Sequence, residues 1–220
     1  MELFSILAIT LSIFDKSGDM SHFCGMTWSR IMLWLAGIDV VVEGLEYAKE
    51  KEPVVIVSNH QGAFDIFVIM VYLPIKFRWV LKKELLDIPL FGRALRDAGY
   101  ISVEREDKRA AVKALRRAEG ILKKGMSLAF FPEGTRSIDG SVGEFKKGAF
   151  LLATKTSTPI LPISIDGSYK ILKKGGFICH PQRVILKIHR PIDVENLSLE
   201  EKKRLPEMVR EIIVRDLSMS

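Results

Sequence analysis

The sequence predicts an α/β fold: a single domain with a largely parallel central sheet flanked by helices, preceded by an N-terminal hydrophobic two-helix element. Three observations carry that reading. From residue 53 onward, short apolar runs alternate with helical patterns, the arrangement that builds a parallel sheet. The first 42 residues hold most of the apolar excess of a chain whose mean hydropathy is slightly positive. Polar, chemically capable residues stand in short turns directly after three of the expected strands.

Leu3 to Phe14 is almost wholly apolar. As a helix it reaches about 18 Å, well short of a hydrocarbon core of about 30 Å. Glu2 at its head and the lack of a small-residue cleavage site set it apart from a secretory signal. After the polar turn Asp15 to Asp19, a second apolar stretch runs from Phe23 to Val42. Arg30 is its only charge before Asp39, and Trp28 and Trp34 are rings that favour bilayer interfaces. Two core helices fit this pattern; so does a hairpin dipped into one leaflet. We favour the hairpin, because neither segment spans comfortably and both are apolar all round. The chain then divides into a membrane anchor, 1–42, and a globular domain, 43–220. A single span by the second stretch stays open.

Pro53 to Ser58 reads as a buried strand, followed by a turn and an apolar helix from about Phe64 to Tyr72. Phe77 to Leu81 and Gly99 to Val103 are further strands, separated by helical pieces over Glu84 to Ala98 that break at Pro89. Lys108 to Lys124 is an amphipathic helix: Ala111, Leu115, Ala118 and Leu122 form one stripe, with Arg109, Lys113, Arg116 and Arg117 opposite, and Gly125 ends it. Ser127 to Phe131 is the next strand and Gly148 to Thr156 a helix. Ile160 to Ile165 and Val184 to His189 complete the strands. The segment from Leu199 is charged and helical, with Pro206 interrupting it.

Lysine and arginine outnumber acids by 33 to 27, a net charge of +6. Such an excess fits a solvated surface, a membrane surface, a phosphorylated substrate or nucleic acid. Without zinc-finger spacing or a basic cluster interleaved with aromatics, nucleic acid is disfavoured. The two cysteines, Cys24 and Cys179, make no disulfide framework and no metal site; they fit a reducing compartment.

Open α/β sheets bind ligands at the carboxyl ends of their strands. The first such turn reads Ser58-Asn59-His60-Gln61-Gly62-Ala63-Phe64-Asp65. Across a strand–turn–helix junction Asp65 can fold back on His60, fixing the imidazole tautomer and leaving the other nitrogen to take a proton from a hydroxyl. A satisfied turn histidine with an aspartate at a helix N-terminus also fits. A later strand exits as Phe131-Pro132-Glu133-Gly134-Thr135-Arg136-Ser137. Gly134 permits close backbone approach and its amide can face an oxyanion. Arg136 offers a planar fork for phosphate oxygens, and Thr135 and Ser137 add hydroxyls. A charged surface turn is the plainer alternative.

Order and spacing are more specific than either piece. Asn59-His60-x4-Asp65 is followed by Gly99-Tyr100-Ile101-Ser102-Val103-Glu104-Arg105, then by the Phe131 to Ser137 block, then by Thr158-Pro159-Ile160-Leu161-Pro162. Together with the linking Leu81-Lys82-Lys83-Glu84-Leu85 and Ile88-Pro89-Leu90-Phe91-Gly92, the set resembles the 1-acylglycerol-3-phosphate acyltransferase family of glycerolipid synthesis, of the bacterial PlsC type. The likeness covers about residues 25 to 190.

The resemblance implies that 43–220 is an acyltransferase catalytic domain and that 1–42 seats it in one leaflet. His60 would be the general base for the sn-2 hydroxyl of lysophosphatidic acid, with Asp65 as its orienting partner. The hydroxyl would attack the thioester of acyl-CoA or acyl carrier protein directly, giving phosphatidic acid. Glu133 would contact the glycerol, and Arg136, Arg105 and Lys82 the phosphate, with Gly134 and Thr135 in the same binding block. Pro159 and Pro162 would shape the acyl-donor side. No cofactor and no metal would be needed, and the enzyme would work at the cytoplasmic face of the inner membrane. Glu104 stands where the family often has aspartate, a mild departure that keeps Arg105 in register, and the chain is short for the family.

Chemically the scheme is sufficient. A thioester is already activated, so proton removal and oxyanion stabilisation are enough, and no Gly-x-Ser-x-Gly nucleophile elbow is present. Three alternatives stay open. The acceptor can be glycerol-3-phosphate, another lysophospholipid or a lyso-aminolipid; water can replace it, making a hydrolase; or the chain can be a non-catalytic membrane-binding protein.

Overall fold

The computed structural model describes residues 1–48, 52–104, 107–137, 139–172, 176 and 178–217. Seven strands form the central sheet: β1 (Asp39–Glu43), β2 (Val55–Ser58), β3 (Phe77–Lys82), β4 (Ile101–Val103), β5 (Ser127–Phe130), β6 (Ile160–Asp166) and β7 (Arg183–Ile188), in the order β1-β7-β6-β2-β5-β3-β4. The five strands β2 to β6 run parallel. β7 is antiparallel to β6, and β1 pairs parallel with β7. The expected single α/β domain with a largely parallel sheet is therefore what forms.

Helices cover both faces, which is why the strands are apolar on both sides. Along β2, Ile56 enters one core with Phe64, Val68 and Trp79, while Val55 and Val57 enter the other with Ala118, Phe150 and Val209. The first face is covered by α2 (Asp19–Leu35) and α3 (Asp65–Tyr72). The second is covered by α5 (Lys108–Leu122), α6 (Gly148–Thr156) and α7 (Leu199–Leu217). The remaining helices are α1 (Glu2–Ser12) and α4 (Phe91–Asp97), which pack on each other through Ala8 and Ala94.

Two expectations change. Helix was expected through Val42, but α2 stops at Leu35 and Asp39–Glu43 is strand β1. Gly37 is the reason: at φ 64° its N–H donates to Trp34 O, and the next N–H, of Ile38, donates to Leu33 O. That Schellman closure ends a helix, and Val40-Val41-Val42 then takes the extended form that β-branched residues favour. The anchor boundary at 42 thus falls inside a sheet strand. Pro206, expected to interrupt the last helix, lies within a continuous α7. It is buried with Leu205, Val209 and Ile213, and that packing outweighs the hydrogen bond its missing N–H removes.

Of the N-terminal helices, α1 is built inside out and α2 is apolar on both its inner and outer sides. The buried residues of α1 are Ser5, Ala8 and Ser12, while Leu3, Ile13 and Phe14 are 75%, 64% and 81% exposed. In α2, Ser21, Cys24, Ser29 and Leu33 face inward, Leu33 joining the sheet core, while Phe23, Trp34 and Leu35 are 58%, 77% and 64% exposed. The inward hydroxyls are satisfied: Ser21 Oγ donates to Ala8 O at 3.0 Å and Ser12 Oγ to Asp97 Oδ2 at 3.0 Å. Buried Arg78 of β3 anchors the hairpin by donating to Asp19 Oδ1 at 2.5 Å and Ser17 O at 3.1 Å. Among the described residues no helix is long and apolar enough to cross a membrane.

Candidate active site

The five parallel strands end at one edge of the sheet, and the chemical residues gather there. β2 leads into Asn59, whose amide exchanges two hydrogen bonds with the backbone of Ile165, both 2.8 Å. This ties the turn to the neighbouring strand β6. The chain then reverses through Gly62, where a Cβ would come within 2.8 Å of Ser168 O; only glycine fits so close a crossing.

His60 and Asp65 meet as the spacing suggested. His60 Nδ1 lies 2.8 Å from Asp65 Oδ2, and the carboxylate is fully buried while the imidazole is slightly exposed. Asp65 Oδ2 also accepts from Gly62 N at 2.8 Å, and Oδ1 accepts from Ser168 Oγ. An ionised carboxylate only accepts, so Nδ1 carries the proton and Nε2 presents its lone pair. Nε2 has no hydrogen-bond partner among the described residues. The ring stacks on Phe131 with centroids 4.0 Å apart, and Phe131 stacks in turn on Trp79 at 5.1 Å.

Glu133 is buried beneath this turn, and both its oxygens are engaged by backbone amides. Oε1 accepts from His60 N at 2.7 Å and Oε2 from Gly143 N at 2.8 Å. Burial pushes its carboxyl above the ordinary glutamate range, against those two hydrogen bonds, which lower it. Ser137 N donates to His60 O at 2.8 Å and Gln61 Nε2 to Gly140 O at 2.9 Å, so the loop after β5 is stitched to the loop after β2 at several points. The amide of Gly134, expected to face an oxyanion, instead donates to Phe131 O at 3.1 Å within the turn.

A cavity of about 710 Å³ opens beside the imidazole. His60, Thr135, Arg136 and Lys82 line it from the strand ends, and Met70, Trp79 and Leu95 form apolar wall. The hairpin closes it with Phe4, Ala8 and Trp28. Thr135 and Arg136 are exposed, and Arg136 has no ion pair among the described residues. Lys82 pairs with Glu84 at 2.8 Å, an exposed contact. Arg105 lies outside the described residues; its neighbour Glu104 pairs with Lys83 at 2.8 Å. Pro159 precedes β6 and Pro162 lies within it, and neither lines the cavity. A second cleft of about 140 Å³, between Glu43, Lys187 and Asp216, contains none of the expected site residues.

Ser168 and Phe131 are the members of the site that sequence reasoning did not assign. Ser168 had a legible signal: it follows β6 by two residues, at the same strand edge, in the turn Asp166-Gly167-Ser168. No group of three or more metal-ligating side chains occurs among the described residues.

The arrangement resembles known proteins in sequence and in structure. A family model described as Acyltransferase matches residues 39–166. The chain is 36% identical over 188 residues to the 1-acyl-sn-glycerol-3-phosphate acyltransferase of Borreliella burgdorferi, covering 86% of this chain and 75% of that protein. It is 41% identical over 175 residues to the chloroplastic 1-acyl-sn-glycerol-3-phosphate acyltransferase LPAT1 of Arabidopsis thaliana, covering 78% of this chain but only 48% of that longer relative. The crystal structure of the 1-acyl-sn-glycerophosphate acyltransferase PlsC from Thermotoga maritima superposes with a TM-score of 0.83 at 32% identity, over 99% of this chain and 88% of that one. With more than half of its length matched by the family model, and with relatives above 30% identity covering most of it, the chain belongs to the acyltransferase family.

Proposed function

We propose that the protein transfers a fatty acyl group from acyl-CoA or acyl carrier protein to the sn-2 hydroxyl of 1-acyl-sn-glycerol-3-phosphate, giving phosphatidic acid. The observation that carries this reading is His60, held through Nδ1 by Asp65, beside an apolar cavity whose rim bears Arg136 and Lys82. A cavity of about 710 Å³ falls within the usual size range of ligand sites, about 300–1,000 Å³, and its apolar wall suits acyl chains. Arg136 supplies the planar cation for the acceptor phosphate, with Lys82 and Arg105 as further cations. The named activity of the relatives points to the same acceptor.

In the reaction the acceptor O–H gives its proton to His60 Nε2 while its oxygen bonds to the thioester carbon. The resulting alkoxide intermediate collapses, the C–S bond breaks, and the departing thiolate takes the proton back from the imidazolium. Asp65 keeps the ring in the required tautomer and stabilises its transient charge. Because the thioester is activated and the proton returns to the leaving group, no cofactor enters the balance. Glu133 acts through the backbone: with both oxygens on amides, it positions His60 rather than the glycerol.

The hairpin, 1–35, serves as a monotopic membrane anchor and residues from 39 onward as the catalytic body. Its support is the set of large apolar side chains exposed on the hairpin, among them Leu3, Ile6 and Leu7 on α1 and Phe23, Trp34 and Leu35 on α2; such a surface on a soluble chain marks an interaction site. We assign the enzyme to the cytoplasmic face of the cell membrane, where acyl thioesters are made.

Thiol release from acyl-CoA or acyl carrier protein, with and without lysophosphatidic acid, tests the reading. Release that needs the acceptor and yields phosphatidic acid is expected. His60→Ala should lower it by about 10²–10⁴-fold, the range of a well-placed base. Acceptor-independent release would mean a hydrolase, and full activity in His60→Ala would remove the dyad from the mechanism.

A further inference from the structure

Ile88-Pro89-Leu90-Phe91-Gly92 links the 3-10 turn Lys83–Asp87 to α4, and its backbone is unusual. Leu90 lies at φ 57° and ψ −54°, and across it Phe91 N donates to Pro89 O at 2.5 Å. This is the γ-turn of the rarer hand, strained for any residue that carries a side chain. Glycine would relieve it, yet leucine occupies the position. The turn is locked from the far side as well. Gly92 N donates to Ile88 O at 2.7 Å, and a Cβ on Gly92 would fall 2.1 Å from Leu86 O.

What the strained turn achieves is display. Leu90 is 42% exposed, Ile88 is 36% exposed, and Pro89 between them is exposed too. An outlier held by its surroundings is a pointer to use. The tip stands between Leu85 and Phe91, and both line the cavity. It also adjoins α1. Ala94 packs on Ala8 and Asp97 accepts from Ser12, so α4 and α1 run side by side in the same direction, and Phe91 meets the cavity together with Phe4 and Met1. The exposed apolar face of α1 therefore continues onto the tip. Arg93 and Arg96 are exposed on α4 just behind it; Arg93 pairs with Asp97 at 2.9 Å, and Arg96 gives one N–H to Leu86 O but has no ion pair among the described residues.

We propose that the Ile88–Pro89–Leu90 tip is a third membrane-contact element, inserted beside the cavity into the same lipid surface as α1 and α2. The occupant is an anionic phospholipid bilayer: the tip offers only apolar side chains, Arg96 behind it is a cation without an ion pair among the described residues that matches the headgroup layer, and the surface is continuous with that of the hairpin. The inference rests on the anchor reading above and extends it to the catalytic body.

Sedimentation of the full-length protein with phosphatidylglycerol–phosphatidylcholine vesicles tests it, with thermal unfolding alongside. Leu90→Gly removes the side chain and the strain together. It is expected to weaken vesicle partitioning by about tenfold, the scale of one buried leucine, while the unfolding midpoint stays level or rises. Ile88→Ser should weaken partitioning by a similar factor. Unchanged partitioning in both variants, with a loss in Phe14→Ser on the hairpin, would overturn the tip and leave the anchor standing. Unchanged partitioning in all three would overturn the anchor reading itself. Unchanged partitioning with turnover lost only for carrier-protein thioesters would assign the tip to a protein partner and overturn the lipid assignment.

Discussion

At the scale of single residues, the site is a set of constraints on one imidazole. Asp65 fixes its tautomer, Phe131 its plane and Glu133 its backbone. Ser168 extends the set by donating to the second oxygen of Asp65. Ser168→Ala would leave that fully buried oxygen without its donor, at a cost of about 1–3 kcal/mol. We expect kcat to fall by about tenfold with KM for either substrate nearly unchanged, because Ser168 acts on the dyad and touches no cavity wall. Ser168→Cys keeps the volume but weakens the donor, and steady-state kinetics should show a similar loss. Equal losses in KM and kcat would point instead to a collapsed cavity. The pairing of His60 with Asp65 was legible in the sequence because a strand–turn–helix junction constrains them locally. Glu133 was legible as a member of the site but not in its role, since its partners Gly143 and His60 lie 10 and 73 positions away.

At the scale of elements, the docking of the hairpin carries a pH dependence. His22 on α2 packs edge-on against Phe77 and shares a 2.9 Å hydrogen bond with the hydroxyl of Tyr100. Burial first, then the charge of Arg78, lowers its pKa to about 4, against the pull of Asp19. The folded state thus resists protonation that the unfolded chain accepts near its ordinary value of 6.5. Stability from this group is complete above about 6.5, falls as pH drops through the window to about 4, and levels off below it. The loss reaches about 3 kcal/mol at most. Chemical denaturation at pH 7 and pH 4.5 should show a smaller difference in His22→Gln than in the parent; an equal difference would assign the effect to other groups. Boundaries of elements were less legible than their existence. The run from Phe23 to Val42 reads as uniformly apolar, yet Gly37 divides helix from strand through two backbone hydrogen bonds that hydropathy does not register.

At the scale of the whole molecule, one end of the sheet holds the chemistry and the hairpin seals the cavity that serves it. Apolar surface is arranged differently in the two parts: inward in the sheet layers, mostly outward on α1, and on both sides of α2. Leu3→Ser with Trp34→Ser removes outward side chains that support no core. We expect the unfolding midpoint to change by no more than a degree or two, while vesicle partitioning and turnover of bilayer-borne lysophosphatidic acid fall several-fold. A large drop in the midpoint would show that these residues hold the fold instead.

The sequence by itself determined the α/β class, the succession of strands and helices from β2 onward and the pairing of His60 with Asp65. Each of these follows from periodicity or from residues close together in the chain, where backbone geometry leaves few choices. The tertiary structure alone decided which groups Glu133 and Ser168 would serve, that β1 would join β7 at the sheet edge, and that α1 would turn its serines inward. Those outcomes depend on contacts between distant segments, such as the 103 positions from Asp65 to Ser168. Their hydrogen bonds and packing form only once the sheet has brought the strand ends together.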